Sequence, residues 1–229
     1  MTEKMVASHR WTAALVDLDG TLVDTRPGVR AAIAAAFADI TGDGNASERA
    51  DLSLPLDDMI RSIDADASAS RLRLLSEAFR RHYDNVHWAS ADVYPGAEDF
   101  LRGLRTAGIR AFVATNKRTT AAQRLLEHVG LAQYLEGIVG QPDSGQPLPK
   151  SELIGECMAT GGLDRATTVI VGDSDQDAAA ASSWGMVFVA VTSGAGPLGH
   201  ALVGEERVEV ESLADATAIV MRRARGDQA

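Results

Sequence analysis

The chain has 229 residues, of which 45% are hydrophobic and 24% are charged, a composition that argues against wholesale disorder. Because 32 acidic residues outnumber 22 basic ones, the net charge is −10, which argues against nucleic-acid binding, since nucleic-acid-binding proteins usually carry a basic face. No apolar run approaches the roughly 18 residues of a membrane span, and the N-terminus lacks the apolar stretch of a signal peptide.

Short apolar strands alternate with helices along most of the chain. The first strand is predicted at 13–16, and three helices are predicted after it, at 27–40, 52–63 and 68–90, with no strand between residues 25 and 92. Alternation resumes after Tyr94-Pro95-Gly96. The later predicted strands are 110–114, 137–140, 167–171 and 186–191, and the later predicted helices are 97–107, 119–129, 150–160, 175–184 and 212–222.

Strands that alternate with helices of this length form βαβ units around a parallel sheet. The early helical block interrupts this alternation. The sequence therefore predicts an α/β fold, with a doubly wound parallel-sheet core and an all-helical domain inserted after the first strand. The predicted boundaries are 1–24 and 93–229 for the discontinuous core and 25–92 for the insert.

Polar residues follow three of the predicted strands. A single aspartate after a strand is usually a turn residue or a helix cap. Four aspartates at one sheet edge are harder to explain in that way, because ligands of open parallel sheets bind outside the carboxyl ends of the strands. The residues concerned are Asp17 and Asp19, Thr115 and Asn116, and Asp173, Ser174 and Asp177.

Four segments carry a resemblance to a known family. Asp17-Leu18-Asp19-Gly20-Thr21-Leu22-Val23-Asp24 resembles the first motif of the haloacid dehalogenase superfamily. Thr115-Asn116-Lys117 resembles its second motif, Lys150 its third and Gly172-Asp173-Ser174-Asp175-Gln176-Asp177 its fourth. The resemblance spans almost the whole chain and is strongest to the phosphoglycolate-phosphatase-like branch. It implies a Rossmann-like core with a helical (C1-type) cap.

The resemblance also implies roles for these residues in phosphate-ester hydrolysis, which needs an oxygen nucleophile, a neutralising cation and an acid for the leaving group. Asp17 would attack phosphorus and form an aspartyl-phosphate, and Asp19 would protonate the leaving alkoxide and then activate water. Mg²⁺, which prefers oxygen ligands, would bind Asp17 and Asp173 through their carboxylates and Asp19 through its backbone carbonyl. Phosphate would contact Thr115, Lys150, Gly20, Thr21 and Asn116, and Ser174 and Asp177 would support this set.

The third motif departs from the pattern of many relatives, which have Lys-Pro-x-Pro before a helix. Here Gln146-Pro147-Leu148-Pro149 has glutamine in the lysine position. Lys150 follows four residues later and matches relatives with lysine at the helix start. A surface lysine there would be unusual, because cations are disfavoured near helix N-termini. We therefore assign the phosphate-binding role to Lys150.

The insert is expected to set specificity. Leu52-Ser53-Leu54-Pro55-Leu56 resembles the family's specificity loop, in which glycine usually stands at the position of Ser53. Arg26 and Arg61 could meet a substrate carboxylate or second phosphate, or could simply be solvated. Trp184 stands where relatives usually have a small residue before Gly185, and its predicted role is packing.

The leading prediction is a Mg²⁺-dependent phosphatase of a small phosphorylated metabolite, with phosphoglycolate as the first guess. The acid/base aspartate at position 19 favours phosphoryl chemistry over carbon–halogen cleavage. Alternatives are a phosphomutase of the β-phosphoglucomutase type and a non-catalytic binding module on the same core. The only cysteine, Cys157, excludes an intramolecular disulfide framework and fits a cytoplasmic protein. The expected partner is a small phosphate ester, and the oligomeric state stays open.

Overall fold

The computed structural model describes residues 10–52, 54–193 and 207–225. The chain forms two compact units, one made of Met1–Val23 and Val93–Ala229 and the other of Asp24–Asp92. The strands are β1 Ala13–Val16, β2 Val23–Asp24, β3 Asp92–Val93, β4 Arg110–Arg118, β5 Gly137–Gln141, β6 Thr168–Gly172, β7 Val187–Val191 and β8 Arg207–Val210. The helices are α1 Arg26–Thr41, α2 Leu56–Ile63, α3 Ala69–Asn85, α4 Ala97–Thr106, α5 Thr119–His128, α6 Lys150–Gly161, α7 Asp175–Trp184 and α8 Leu213–Arg225.

Six strands of the first unit form one parallel sheet in the order β5-β4-β1-β6-β7-β8. The chain runs outward from β1 in both directions, so the point where strand order reverses lies beside β1. Val16, the last residue of β1, is opposite Val113 of β4 and Val171 of β6. The polar residues after these strands therefore leave the sheet at nearly the same level. This is the crevice in which doubly wound folds bind ligands.

The central strands are buried on both faces, which explains their continuous apolar runs. Every residue of β1 and β6 is buried. One core cluster includes Leu15, Phe112 and Ile170 of the sheet together with Leu153 of α6. Cys157 belongs to the same cluster, as expected for a packed thiol, and burial raises its pKa to about 12.

The second unit is built from α1, α2 and α3, with 3₁₀ turns at Ala46–Arg49 and His87–Ala89. Its core includes Ile33 and Phe37 of α1, Ile60 of α2 and Leu75 of α3. Pro27 lies in the first turn of α1, where the missing N–H costs no helical hydrogen bond. In the described residues of the chain, no helix is long and apolar enough to cross a membrane.

The predicted fold class is confirmed, and several predicted element bounds are wrong. The helix predicted at 52–63 begins at Leu56, because proline at 55 disfavours helical geometry in the residue before it. The helix predicted at 68–90 ends at Asn85, before a separate 3₁₀ turn. The expected absence of strand in 25–92 fails at Asp92, where β3 begins. The edge strand β8 was not predicted, and β4 continues past Ala114 to Arg118.

Candidate active site

The carboxyl ends of β1, β4 and β6 bring three buried polar side chains to one edge of the sheet. Asp17 continues the hydrogen-bond ladder, since its N–H donates to the carbonyl of Val171 over 2.9 Å. Asp17 is 8% exposed, Thr115 1% and Asp173 7%. Burial of these polar groups is unfavourable unless they are paired, so their partners decide what the site can do.

A tight turn after β1 fixes the carboxylate of Asp173. The N–H groups of Leu22 and Val23 both donate to the carbonyl of Leu18 over 3.0 Å. Gly20 has φ +90°, and a Cβ there would lie 2.1 Å from Asp173 Oδ2, so only glycine allows this conformation and this close approach. Thr21 Oγ1 donates to Asp173 Oδ1 over 2.8 Å. In this structure Gly20 and Thr21 thus support Asp173.

Three carboxylates and one ammonium group meet at this edge. Oxygens of Asp17, Asp173 and Asp177 lie within 4.8 Å of one another. The Nζ atom of Lys150 is 2.5 Å from Asp17 Oδ1 and 2.9 Å from Asp177 Oδ1. The Lys150 side chain is 6% exposed and that of Asp177 is 1% exposed. We call these four residues the ionic cluster.

The charges of the ionic cluster shift its pKa values. Burial raises the pKa of Asp17 well above its usual range, against the ammonium of Lys150, and the carboxylates of Asp177 and Asp173 raise it further. Burial also raises the pKa of Asp173, to about 6, while the hydrogen bond from Thr21 opposes this shift. Burial lowers the pKa of Lys150, but the carboxylates of Asp17 and Asp177 outweigh it and leave this pKa raised. Lys150 is therefore cationic, and the carboxylates favour a further cation.

The donor set suits a hard divalent cation, because it consists of carboxylate oxygens. Asp177 is already engaged, since its Oδ2 accepts from the hydroxyl of Ser174 over 2.6 Å and from the Ser174 N–H over 3.2 Å. Among the described residues, no side chain donates a hydrogen bond to Oδ2 of Asp17 or of Asp173. These two oxygens could therefore bind a divalent metal ion.

Ser174 and Asp177 form a capping box at the start of α7. The hydroxyl of Ser174 accepts from the Asp177 N–H over 3.3 Å, and the Asp177 side chain accepts from Ser174 in return. Gly172 gives this side chain its space, because a Cβ there would lie 2.6 Å from Asp177 Cγ. The capping box therefore orients the carboxylate that faces Lys150.

Thr115 and Asn116 lie in an irregular part of β4. Ala114 is opposite Val139 and Arg118 is opposite Gln141, so the longer β4 segment bulges against β5. The Thr115 hydroxyl accepts from the N–H of Lys117 over 3.1 Å. Asn116 is exposed, and its amide donates to Gln176 Oε1 over 2.6 Å.

Sequence reasoning gave no role to Lys117, which forms an ion pair with Asp19. Its Nζ atom lies 3.1 Å from Asp19 Oδ1, and the two side chains are 13% and 33% exposed. Asp19 therefore directs its carboxylate to Lys117. A signal was available, because residues two apart in an extended chain share one side of the strand. That spacing places Lys117 on the same side as Thr115.

Two of the remaining predicted contact residues, Arg26 and Arg61, belong to the second unit. Arg26 binds the carboxylate of Asp24 through Nε and Nη2, over 2.8 and 2.7 Å, and this hydrogen bonding lowers the pKa of Asp24. Arg61 is exposed on α2. Ser53 lies outside the described residues.

Comparison with known proteins identifies the family. Residues 14–191 match the family model of haloacid dehalogenase-like hydrolases. Phosphoglycolate phosphatase of Cupriavidus necator is 34% identical over 210 residues, which cover 88% of this chain and 90% of the relative. Phosphoglycolate phosphatase of Rhodospirillum rubrum is 32% identical over 195 residues, 80% of each chain.

A solved structure shares the fold. The haloacid dehalogenase-like family hydrolase from Streptococcus pneumoniae superimposes with a TM-score of 0.77 at 24% identity, and the match covers 91% of this chain and 98% of the other. The family model spans most of the chain and includes the whole ionic cluster. The chain therefore belongs to the haloacid dehalogenase-like hydrolases, in their phosphoglycolate-phosphatase-like branch, and is a hydrolase of phosphoric monoesters.

Proposed function

We propose that this protein is a Mg²⁺-dependent phosphatase of a small phosphorylated metabolite, acting through an aspartyl-phosphate on Asp17. The observation that carries the proposal is the ionic cluster, in which a buried lysine meets the carboxylate of Asp17 beside that of Asp173. Among the described residues, no side chain donates a hydrogen bond to the second oxygen of this buried carboxylate. A binding module would have no need of such an oxygen, whereas a nucleophile needs an oxygen that can attack.

Asp17 is the proposed nucleophile. One of its oxygens attacks phosphorus while the bond between phosphorus and the ester oxygen breaks, and the phosphoryl group is transferred to the carboxylate. Lys150, 2.5 Å from Asp17 Oδ1, neutralises part of the negative charge that the incoming phosphoryl group adds. Thr115, at the adjacent end of β4, would donate its hydroxyl to a phosphoryl oxygen.

Asp19 is the proposed general acid and base. It gives its proton to the departing ester oxygen, and in the second step it takes a proton from the water that attacks phosphorus. That attack breaks the bond between phosphorus and Asp17 and releases inorganic phosphate. The side chain of Asp19 is about one third exposed, so substrate and water can reach its carboxylate.

Asp17 and Asp173 would hold Mg²⁺ through their carboxylates, with the backbone carbonyl of Asp19 as a third protein ligand. The bound ion would supply positive charge to the phosphoryl oxygens. Gly20, Thr21 and Asn116 complete the proposed phosphate-binding edge. Ser174 and Asp177 hold Lys150 in place.

Phosphoglycolate is the first substrate to test, because it is the substrate named for the two curated relatives above. Specificity would reside in the second unit, the proposed cap. Arg26, Arg61 and Ser53 are the cap residues proposed to meet the rest of the substrate. The bidentate pairing of Arg26 with Asp24 means that a substrate anion would have to compete with this carboxylate.

The test measures phosphate release from 2-phosphoglycolate, sugar phosphates, nucleoside monophosphates and an aryl phosphate, with Mg²⁺ or with excess EDTA. Wild type should release phosphate only with metal. Asp17→Asn should lose at least about a thousandfold in rate, because the nucleophile is removed, and any rate that remains comes from the other groups of the site. The matched control is Asp99→Asn on α4, whose side chain is 73% exposed. Equal rates in the three proteins would refute the proposal. Phosphorus NMR of the products separates phosphate release from isomerisation, which would identify a mutase.

A further inference from the structure

Lys150 lies at the start of a helix, where a positive charge is unfavourable. Lys150 is the first residue of α6, and Pro149 before it provides no side-chain cap. The unpaired N–H groups of a helix start carry partial positive charge, which disfavours an ammonium there. The residues at 142–149, between β5 and α6, have no regular secondary structure. Something other than the helix must hold the lysine against Asp17.

The side chain of Gln141 is hydrogen-bonded to the backbone of Leu148, which lies two residues before Lys150. Gln141 is the last residue of β5, and its side-chain amide makes two hydrogen bonds to the backbone of a single residue, Leu148. Gln141 Nε2 donates to the carbonyl of Leu148 over 2.8 Å, and Gln141 Oε1 accepts from the N–H of Leu148 over 2.7 Å. The amide therefore pairs with Leu148 as a neighbouring strand would. This contact fixes both the position and the rotation of the backbone that leads to Lys150.

The side chain of Trp184 is hydrogen-bonded to the backbone of Ser151, the residue after Lys150. Trp184 is the last residue of α7, and its indole N–H donates to the carbonyl of Ser151 over 2.9 Å. The ring lies over Gly155, where a Cβ would be 3.0 Å from the ring. Gly155 thus allows the tryptophan to reach the first turn of α6. This contact gives the large side chain at position 184 a role beyond packing.

We propose that Gln141 and Trp184 are positioning residues, which together form a brace on both sides of Lys150 and hold its ammonium against Asp17. The proposal rests on the proposed function of Lys150 and assigns no contact between the brace and the substrate. The position of the lysine in the third motif explains why such a brace is needed. With glutamine at position 146 and lysine at the helix start, the lysine depends on the backbone at 148–151 for its position.

The first experiment measures hydrogen–deuterium exchange of the peptide spanning residues 146–153, without substrate. Gln141→Met removes both hydrogen bonds to Leu148, and also the hydrogen bond that Gln141 Nε2 donates to Asn116 Oδ1 over 3.4 Å, at similar side-chain volume. Gln123→Met on α5 is the exposed control. Trp184→Phe removes the indole donor, and Trp88→Phe in the second unit is its control. The brace predicts at least roughly tenfold faster exchange in this peptide for Gln141→Met and Trp184→Phe only, since a lost tether of about 1.4 kcal/mol raises local opening tenfold. Unchanged exchange in both variants overturns the brace.

The second experiment is a double-mutant cycle on phosphate release. Gln141→Met should lower kcat/KM roughly tenfold to a hundredfold in wild type, because displacement of a catalytic group by about 1 Å has effects of this size. In a Lys150→Met background the same change should cost less than about twofold. Equal losses in both backgrounds would mean that Gln141 does not act through Lys150. If wild type releases phosphate from no ester, the proposed function fails, and the exchange experiment alone decides the brace.

Discussion

Replacement of Lys150 by methionine tests the energetic account of the ionic cluster. Methionine is apolar and of similar length, so the change removes the charge and keeps most of the packing. In the native protein the ammonium lies 2.5 Å from Asp17 and 2.9 Å from Asp177. Without it, carboxylates within 4.8 Å of one another face each other with no cation between them.

The expected cost follows from burial. Removing one partner of a buried ion pair destabilises a protein by about 3–5 kcal/mol, because it leaves an uncompensated charge. For a chain of this size that corresponds to a fall in Tm of roughly 6–20 °C. An exposed pair contributes about 0–1 kcal/mol. Arg102→Met, which removes a 54% exposed partner of Asp99, is therefore the matched control and should shift Tm by no more than about 4 °C.

The assay is thermal unfolding in EDTA at pH 5 and pH 7.5. The loss in Lys150→Met should be larger at pH 7.5, because the orphaned carboxylates are then ionised, and smaller at pH 5, where protonation relieves their repulsion. Arg102→Met should show little dependence on pH. A fall in Tm of under 3 °C for Lys150→Met, or the same fall at both pH values, would refute the account of the ionic cluster.

Three further predictions concern Asp173 and the turn beside it. Burial raises the pKa of Asp173 from 3.8 to about 6, so its stabilising contribution is present below pH 3.8 and is lost as the pH rises through about 6. In EDTA, Asp173→Asn should therefore have a higher Tm than wild type at pH 7.5 and no such advantage at pH 4; a difference independent of pH would contradict this. Added Mg²⁺ should raise the Tm of wild type at pH 7.5, and an equal rise in Asp173→Asn would show that Asp173 is not a ligand. Gly20→Ala should lower both Tm and phosphate release, because φ is +90° and the new Cβ would lie 2.1 Å from Asp173 Oδ2. Gly108→Ala, at φ +72° with no atom within 4 Å, should cost only about 1–2 kcal/mol of backbone strain and should leave the rate unchanged; equal rates in the two variants would refute the steric argument.

The edge where the polar residues meet could be predicted because it depends on regular features. Apolar runs and helix spacing predict parallel strands, and the strand ends then meet at one edge. The register that places Val16 opposite Val113 and Val171 is what brings Asp17 and Asp173 together. The edge strand β8 escaped prediction because it has only four residues, Arg207–Val210, the shortest run over which alternation of polar and apolar residues can indicate a strand.

The contacts that hold the site could not be predicted, because they join segments far apart in the chain. The pairing of Gln141 with Leu148 requires a particular path through residues 142–149, where no periodic pattern exists. The indole contact of Trp184 with Ser151 depends on how α6 packs against α7. Such contacts follow from tertiary packing, whereas sequence patterns report local structure.

The most direct test of the central claim is to trap the phosphoryl group on Asp17. In Asp19→Asn the proposed base is missing, so an aspartyl-phosphate should form from a reactive aryl phosphate and then persist. Acid quench and peptide mass spectrometry should find close to one phosphoryl group per protein on the peptide that contains Asp17, and none in the double variant Asp17→Asn with Asp19→Asn. A phosphoryl group on another residue, or phosphate release by Asp17→Asn at the wild-type rate, would contradict the account.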